Sequence, residues 1–147
     1  MTIVNKSKSA RARLMNRELD EALIALFIGA MDADGHVARE ELERAHHLIW
    51  STKRFRRKSG DTVGRLMYRV KRLLEAEDAA VVMETAARQI PVRLRPSAFA
   101  IVADLVLADG KINAREGKFL QRLAVSLDIG SRVANEIVSI ILVKNHL

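Results

Sequence analysis

The chain has 147 residues, of which 49% are apolar and 29% are charged, as expected for a single globular domain. It contains no cysteine, which excludes disulfides, thiol catalysis and zinc–thiolate sites. The formal net charge of +7 is spread unevenly. Residues 1–13 carry four basic side chains and no acid, and residues 51–72 carry nine basic side chains against Asp61 alone. We therefore expect an electrically two-sided surface, which restricts the partners that the protein can bind.

The apolar runs of the chain are too short to cross a membrane. The longest of them, residues 22–31, 99–108 and 137–143, fall well below the ~20 residues that a membrane-spanning helix needs. Residues 1–13 lack the apolar core of a secretory signal. These features predict a cytoplasmic protein.

The spacing of apolar residues predicts one helical domain behind a basic segment. Residues 1–15 are expected to be a flexible basic leader and residues 16–147 a single domain. The first helix is expected to start near Asn16, which is a favourable N-cap residue, and to end at the Asp-Gly pair at positions 34–35.

The next two helices are separated by the Ser-Gly pair at positions 59–60. The second helix is predicted to run from about Ala38 through the basic run at residues 53–58. Asp61 or Thr62 is expected to cap the third helix. Its apolar residues follow helical spacing and form the predicted core face: Val63, Leu66, Met67, Val70 and Leu74.

The second half of the chain predicts four more helices. A fourth helix stops before Pro91, and Pro96 suits the first turn of a fifth. The apolar stretch 99–108 indicates a buried central helix, and Asn113 is the expected cap of a sixth. A largely apolar seventh helix follows Gly130. The predicted fold class is therefore all-α, a compact bundle of about seven helices without a convincing strand.

An internal repeat relates the two halves. A displacement of 75 residues places the segment Ala33-Asp34-Gly35-His36-Val37 on Ala108-Asp109-Gly110-Lys111-Ile112, and Glu41 on Glu116. Each copy is an apolar helix, an Asp-Gly turn and a new helix that carries a glutamate seven residues after the aspartate. The chain thus uses one helix–turn–helix unit twice.

The repeated turn has a structural and a functional interpretation. Structurally, Asp can accept backbone N–H groups at a helix break, Gly permits positive φ, and Val37 or Ile112 returns to the core. Functionally, carboxylates near such a turn suit a hard cation. A calcium-binding EF-hand is disfavoured, because the first ligand position of the loop would be Ala30 in one copy and Leu105 in the other.

The duplicated turn resembles the TerB family of bacterial tellurite-resistance and chemical-stress-response proteins. The second copy, with Glu116 and the following Phe119-Leu120 and Leu123, is the better match. The resemblance covers the chain from about Arg17 onward. It implies a bundle in which two helix–turn–helix units are related by a pseudo-twofold axis and the two turns approach each other.

The resemblance also implies a non-enzymatic protein with a divalent-cation site, for Ca²⁺ or for Mg²⁺ or Mn²⁺, between the turns. Basic residues depart from this pattern at the second turn, where Arg115 replaces Glu40 and Lys111 replaces His36. The ligand candidates carried over to this chain are Asp32, Asp34, Glu41, Asp109 and Glu116.

The alternative function is an adaptor whose basic face binds an anionic membrane surface, nucleic acid or an acidic protein. Arginines near Phe55 and Tyr68 could support stacking, but nucleic acid is disfavoured because no nucleic-acid-binding signature accompanies them. Other stress-response proteins, the inner membrane surface and a second copy of the chain are the expected partners. The residues assigned to this face are Lys53, Arg54, Arg56, Arg57, Lys58, Arg65, Arg69 and Arg72.

Three further residues carry individual predictions. His46 is expected to be a hydrogen-bonded, partly buried histidine, because adjacent His46 and His47 point about 100° apart on a helix and cannot share one ion. Asp104 lies in an apolar helix and needs a partner, for which a buried arginine is one candidate. Trp50 is expected to fill the core. No phosphate-binding loop, nucleophile elbow or zinc-protease motif supports catalysis.

Overall fold

The computed structural model describes the backbone of residues 2–31 and 38–147, and the side chains of residues 17–31 and 38–147. These residues form seven α-helices and one short 3-10 helix, Val92–Leu94, and they contain no strand. The predicted all-α bundle of about seven helices is confirmed. The helices are α1 Thr2–Met31, α2 Arg39–Ser51, α3 Gly60–Ala76, α4 Ala79–Gln89, α5 Arg95–Val106, α6 Ala114–Ser126 and α7 Ser131–Lys144.

Helix α1 begins much earlier than the sequence predicts. It starts at Thr2, so the expected start at Asn16 is wrong. The physical reason is that neither proline nor glycine occurs before Gly29, and residues 10–15 are good helix formers. Asn16 is therefore an interior residue of α1.

The centre of the bundle is the second half of α1. Every residue from Ala22 to Ala30 is buried, and this part packs against α2, α3, α4 and α5. A helix that is apolar all round is stable in water only when it is covered on all sides, as it is here. Helix α5, the predicted central helix, packs beside α1, and its Phe99 and Val102 are fully buried.

Helix α2 ends at Ser51, before the basic run that was predicted to continue it. Thr52 is extended, and its hydroxyl donates to the carbonyl oxygen of Ile49 at 2.7 Å. On a continued helix Phe55 would lie about 120° from the buried Ile49. Leaving the helix instead allows Phe55 to be buried to 1% exposure. We call residues 52–58 the basic loop.

Helix caps account for the starts of three later helices. Ser59, rather than Asp61 or Thr62, caps α3, because its side chain accepts the N–H of Thr62. Asp78 caps α4 by accepting the N–H of Ala80, and Asn113 caps α6 as predicted. The predicted core face of α3 is confirmed, and all five of its residues are buried.

The two units of the internal repeat correspond to α1–α2 and α5–α6. Their first helices, α1 and α5, pack against each other. This packing brings the connection between α5 and α6 close to the end of α1, where the cavity described next is found.

Candidate functional site

A cavity of about 710 Å³ lies among the end of α1, α2, the end of α5 and the start of α6. Glu41 of α2, Asp109 of the second turn and Glu116 of α6 all line it. Glu41 and Glu116 are the equivalent glutamates of the two repeat units, 75 positions apart. The fold therefore brings carboxylates from both copies to one cavity, which we call the charged cavity.

The second turn is held by hydrogen bonds between neighbouring residues. Gly110 has φ +77, a left-handed conformation that glycine adopts without strain. The Oδ1 atom of Asp109 accepts the N–H of Lys111 at 3.1 Å. Asn113 and Glu116 form a capping box, in which Asn113 Oδ1 accepts the N–H of Glu116 and Glu116 Oε1 accepts the N–H of Asn113. Both acidic residues of this turn thus have structural roles.

Ile112 does not return to the core as predicted. It is 43% exposed, and the fully buried residue near the turn is Leu107. The reason is the position of Ile112 between the turn and the capped start of α6. There its side chain lies over Gly117 at the surface, where a Cβ on Gly117 would be 3.8 Å from Ile112 Cδ1.

Four basic residues line the same cavity as the three acids. Arg44 comes from α2 and donates to the carbonyl oxygen of Leu105 at 3.3 Å. Arg115, Lys118 and Arg122 come from α6. The described wall of the charged cavity therefore carries four positive and three negative side chains, and its potential is mixed.

The described residues do not assemble a metal site by themselves. Among them, no group of three or more His, Asp or Glu side chains is placed to hold a metal ion. Two of the predicted ligands, Asp32 and Asp34, lie outside the described residues. The other three, Glu41, Asp109 and Glu116, share the charged cavity.

Part of the predicted anionic-partner face is turned inward, towards α1. Asp20 is 4% exposed and is the only buried charged side chain among those that the structure describes. Its Oδ1 accepts from Nε of Arg54 at 2.5 Å, and its Oδ2 lies 3.2 Å from Nζ of Lys58. Trp50 Nε1 donates to the carbonyl oxygen of Lys58 at 2.8 Å. Two cations of the basic loop thus anchor the loop to α1.

The remaining cations of this face are exposed, and one of them forms a further ion pair with α1. Arg69 of α3 contacts Glu21 Oε1 at 2.6 Å. Phe55 is buried, so it cannot provide a stacking surface, whereas Tyr68 is 63% exposed. Five further exposed cations belong to this face: Lys53, Arg56 and Arg57 of the basic loop and Arg65 and Arg72 of α3.

Sequence reasoning missed the role of Asp20. In a helix starting at Asn16, as the sequence predicts, Asp20 would lie in the first turn, where an acid needs no partner. In a helix that continues in both directions, Asp20 falls four residues before Ile24 and seven before Phe27, both buried. That spacing is the signal that could have identified Asp20 as a buried acid.

The predictions for single residues had different outcomes. His46 is half-buried, and its Nε2 lies 3.1 Å from the carbonyl oxygen of Gly60, as expected. Asp104 has partners, but they are Asn145 Nδ2 at 2.9 Å and Lys144 Nζ at 3.1 Å rather than an arginine. Trp50 was expected in the core and is 41% exposed, because its indole N–H is used to hold the basic loop.

Comparison with known proteins supports the resemblance drawn from the repeated turn. The family model described as tellurite resistance protein TerB matches residues 20–137. The chain matches no curated protein and no solved structure. Within the described residues, no helix is both long enough and apolar enough to cross a membrane. The match spans most of the helical bundle and both carboxylate-bearing units, and the chain therefore belongs to the TerB family of tellurite resistance proteins.

Proposed function

We propose that this chain is a non-enzymatic module of the tellurite-resistance type that binds a divalent cation, Ca²⁺ or Mg²⁺ or Mn²⁺, in the charged cavity. The observation that supports this function is the meeting of repeat-equivalent acids. Glu41 and Glu116, together with Asp109, line one cavity although they come from separate units of the repeat. Carboxylate oxygens are the ligands that these hard cations prefer.

The hydrogen bonds of the second turn leave ligand atoms for such an ion. The bonds to Lys111 and Asn113 use one oxygen each of Asp109 and Glu116, and each carboxylate has a second oxygen. Three carboxylates surrounded by four cations would hold a divalent ion weakly. The proposed site therefore also takes Asp32 and Asp34, from outside the described residues.

Calorimetric titration of the protein with Ca²⁺, Mg²⁺ and Mn²⁺ tests this proposal. Glu116→Gln is the sharpest variant, because glutamine can still close the capping box but carries no charge. We expect this variant to bind the preferred ion at least about tenfold more weakly, and Asp34→Ala/Asp109→Ala to abolish binding. Asn113→Ala is the matched control, since it removes the cap and keeps every carboxylate.

Neutralising the cations of the cavity tests the same proposal in the opposite direction. Lys118→Gln/Arg122→Gln removes two positive charges near the proposed ion, so the affinity should rise. Absence of binding by the unmodified chain, or equal affinity in Glu116→Gln, would contradict the cation site.

A second candidate function is an adaptor for an anionic membrane surface, which would place the protein in the cytoplasm at the periphery of the inner membrane. The observation that favours it is the anchored basic loop. Asp20 holds Arg54 and Lys58, while Lys53, Arg56 and Arg57 of the same loop are exposed. Each exposed cation near an anionic leaflet contributes about 1 kcal/mol to binding.

Vesicle co-sedimentation separates this candidate from the first. Lys53→Gln/Arg56→Gln/Arg57→Gln should strongly reduce binding to phosphatidylglycerol vesicles, and added salt should do the same. Lys111→Gln/Lys118→Gln/Arg122→Gln is the matched control, because it lowers the net charge equally at another place. Equal losses in both variants would indicate attraction by net charge alone, and tighter binding to duplex DNA would favour nucleic acid.

A further inference from the structure

Helix α7 presents apolar side chains to solvent as well as to the core. Its inner face contains the buried Ala134 and the half-buried Val138 and Ile141, which pack against the core. On its outer side Val133 is 45% exposed, Ile140 67% and Val143 77%. Isolated exposed apolar residues are ordinary at protein surfaces, so their arrangement along the helix is what matters.

These outer residues form one stripe. Val133 and Ile140 are seven residues apart and Ile140 and Val143 three apart, which places all three within about 80° of the helix surface. Seven- and three-residue spacing is the pattern of a helix that packs against another helix. No other helix covers this side of α7 within the described chain, as the exposed fractions show.

One acidic and one basic residue lie at equal distances on either side of Ile140, so two antiparallel copies of α7 would place opposite charges together. Glu136 lies four residues before Ile140 and Lys144 four residues after it. If two α7 helices pair antiparallel about Ile140, Glu136 of one copy stands level with Lys144 of the other. Parallel pairing would instead set Glu136 level with Glu136, and an antiparallel shift centred on residue 138 would set Arg132 level with Lys144.

The local charge is compatible with a second copy of the chain at α7. Residues 123–147 contain two basic side chains, Arg132 and Lys144, and two acidic ones, Asp128 and Glu136, so their net charge is zero. The cations that give the chain its net charge of +7 are concentrated in residues 1–13 and 51–72, so no excess of like charge within residues 123–147 opposes the approach of two α7 helices. Both side chains already have an ion pair within the chain, Lys144 with Asp104 at 3.1 Å and Glu136 with Arg132 at 3.4 Å. They are 57% and 62% exposed, and an ammonium group has three donors and a carboxylate two oxygens, so each can form a second contact.

We propose that two copies of this chain form a symmetric dimer through α7, with the helices antiparallel and centred on Ile140. Across the twofold axis Ile140 packs on Ile140, and Glu136 pairs with Lys144 in two symmetric contacts. A stripe along one 14-residue helix is small for a stable interface, so the dimer forms reversibly and depends on concentration.

Sedimentation velocity over a wide range of protein concentration measures this association. The unmodified chain should pass from monomer to dimer as concentration rises. Ile140→Asp should remain monomeric, because it places two like charges together at the axis. Ser139→Asp is the matched control: it adds the same charge to the same helix about 100° away, and it should dimerise normally. The thermal midpoint of each variant shows whether the monomer is folded.

Two further measurements test the register. Because the chain has no cysteine, Ile140→Cys provides a single thiol at the axis, and mild oxidation should link two copies through it much faster than it links Ser139→Cys. Glu136→Lys and Lys144→Glu should each dimerise poorly alone, and an equimolar mixture should recover dimer because opposite charges then face each other.

Three results would overturn the proposal: a monomer at every concentration, equal dissociation by Ile140→Asp and Ser139→Asp, or equal cross-linking of the two cysteine variants. Dimerisation that is lost in Ile140→Asp but not recovered in the charge-reversal mixture would overturn the antiparallel register. These outcomes are independent of the cation titration, since none of the substitutions touches the charged cavity.

Discussion

Two connections between helices are held in place by different kinds of contact: the basic loop between α2 and α3, and the turn between α5 and α6. Both connect consecutive helices and both carry charged residues. The basic loop is held by distant groups: Asp20 of α1 binds Arg54 across 34 positions, and Phe55 is buried in the core. The turn is held largely by neighbours, since Asp109, Asn113 and Glu116 bond to backbone groups two or three residues away.

The charged residues have different roles in the two connections. At the basic loop the buried carboxylate of Asp20 pairs with two cations. Removing one charge of this group leaves the remaining charges less well compensated beside the core. At the turn the carboxylates are more exposed, and each uses one oxygen for the backbone. Charge at the turn can therefore be removed at little cost to folding, whereas charge at Asp20 cannot. Four substitutions test this comparison.

The largest effect is expected for Gly110→Ala at the turn. The new Cβ would lie 2.6 Å from the carbonyl oxygen of Asn145, and the residue would keep a positive φ. The combined overlap and strain should lower the free energy of unfolding by about 3 kcal/mol, measured by urea denaturation. Gly64→Ala is the control. A Cβ on Gly64 of α3 would have open space around it, and the change should stabilise the protein by about 0.5–1 kcal/mol.

The next largest effect is expected for Asp20→Asn at the basic loop. It removes the charge that binds Arg54 and Lys58 and leaves two partly exposed cations beside the core. We expect a loss of about 2 kcal/mol, below the usual cost for a fully buried pair because both cations reach solvent. Glu21→Gln removes a neighbouring, exposed pair with Arg69 and should cost under about 1 kcal/mol. If both variants lost the same stability, burial would not distinguish the two acids.

A smaller effect is expected for Asn113→Ala, which removes the cap of α6. The N–H of Glu116 loses its acceptor, and the unfolding free energy should fall by about 1 kcal/mol. Glu116→Gln should change it by only about a few tenths, because an amide oxygen can accept the N–H of Asn113 in place of the carboxylate. A cost for Glu116→Gln as large as that for Asn113→Ala would show that the charge of Glu116 supports the fold.

Among the four substitutions, which are Gly110→Ala, Asp20→Asn, Asn113→Ala and Trp50→Phe, the last is expected to have the smallest effect. Phenylalanine keeps an aromatic ring but cannot donate to the carbonyl oxygen of Lys58, so we expect a loss of about 0.5–1 kcal/mol. Tyr68→Phe, at an exposed position of α3, is the control and should be close to neutral. Equal unfolding midpoints for the two variants would mean that the indole bond does not hold the loop.

Much of the candidate site was expected from the repeat and the family resemblance, but only part of its electrostatics was. The repeat identified Glu41 and Glu116 as equivalent residues, and the resemblance implied that their turns approach each other; both glutamates line the charged cavity. Arg115 was expected beside the second turn, but Arg44 and Arg122 could not be assigned to the cavity in advance, because they reach it only through the packing of α2 and α6. Whether the acids bind an ion is therefore a question of tertiary arrangement as much as of motif.

The features that could be predicted from the sequence alone are those that depend on a few neighbouring residues. These are the all-α class, the core face of α3, the cap at Asn113 and the Asp-Gly turn with its glycine at positive φ. Their physical cause is local: helical periodicity and short-range hydrogen bonds act within about one or two turns.

Three features follow from tertiary packing instead: the end of α2, the choice of cations that bind Asp20 and the surface position of Trp50. Each of these depends on the burial of Phe55 and on the pairing of Asp20 with cations that lie tens of residues later in the chain. Helix propensity favours continuing α2 through the basic run, and the free energy of that burial and pairing outweighs it.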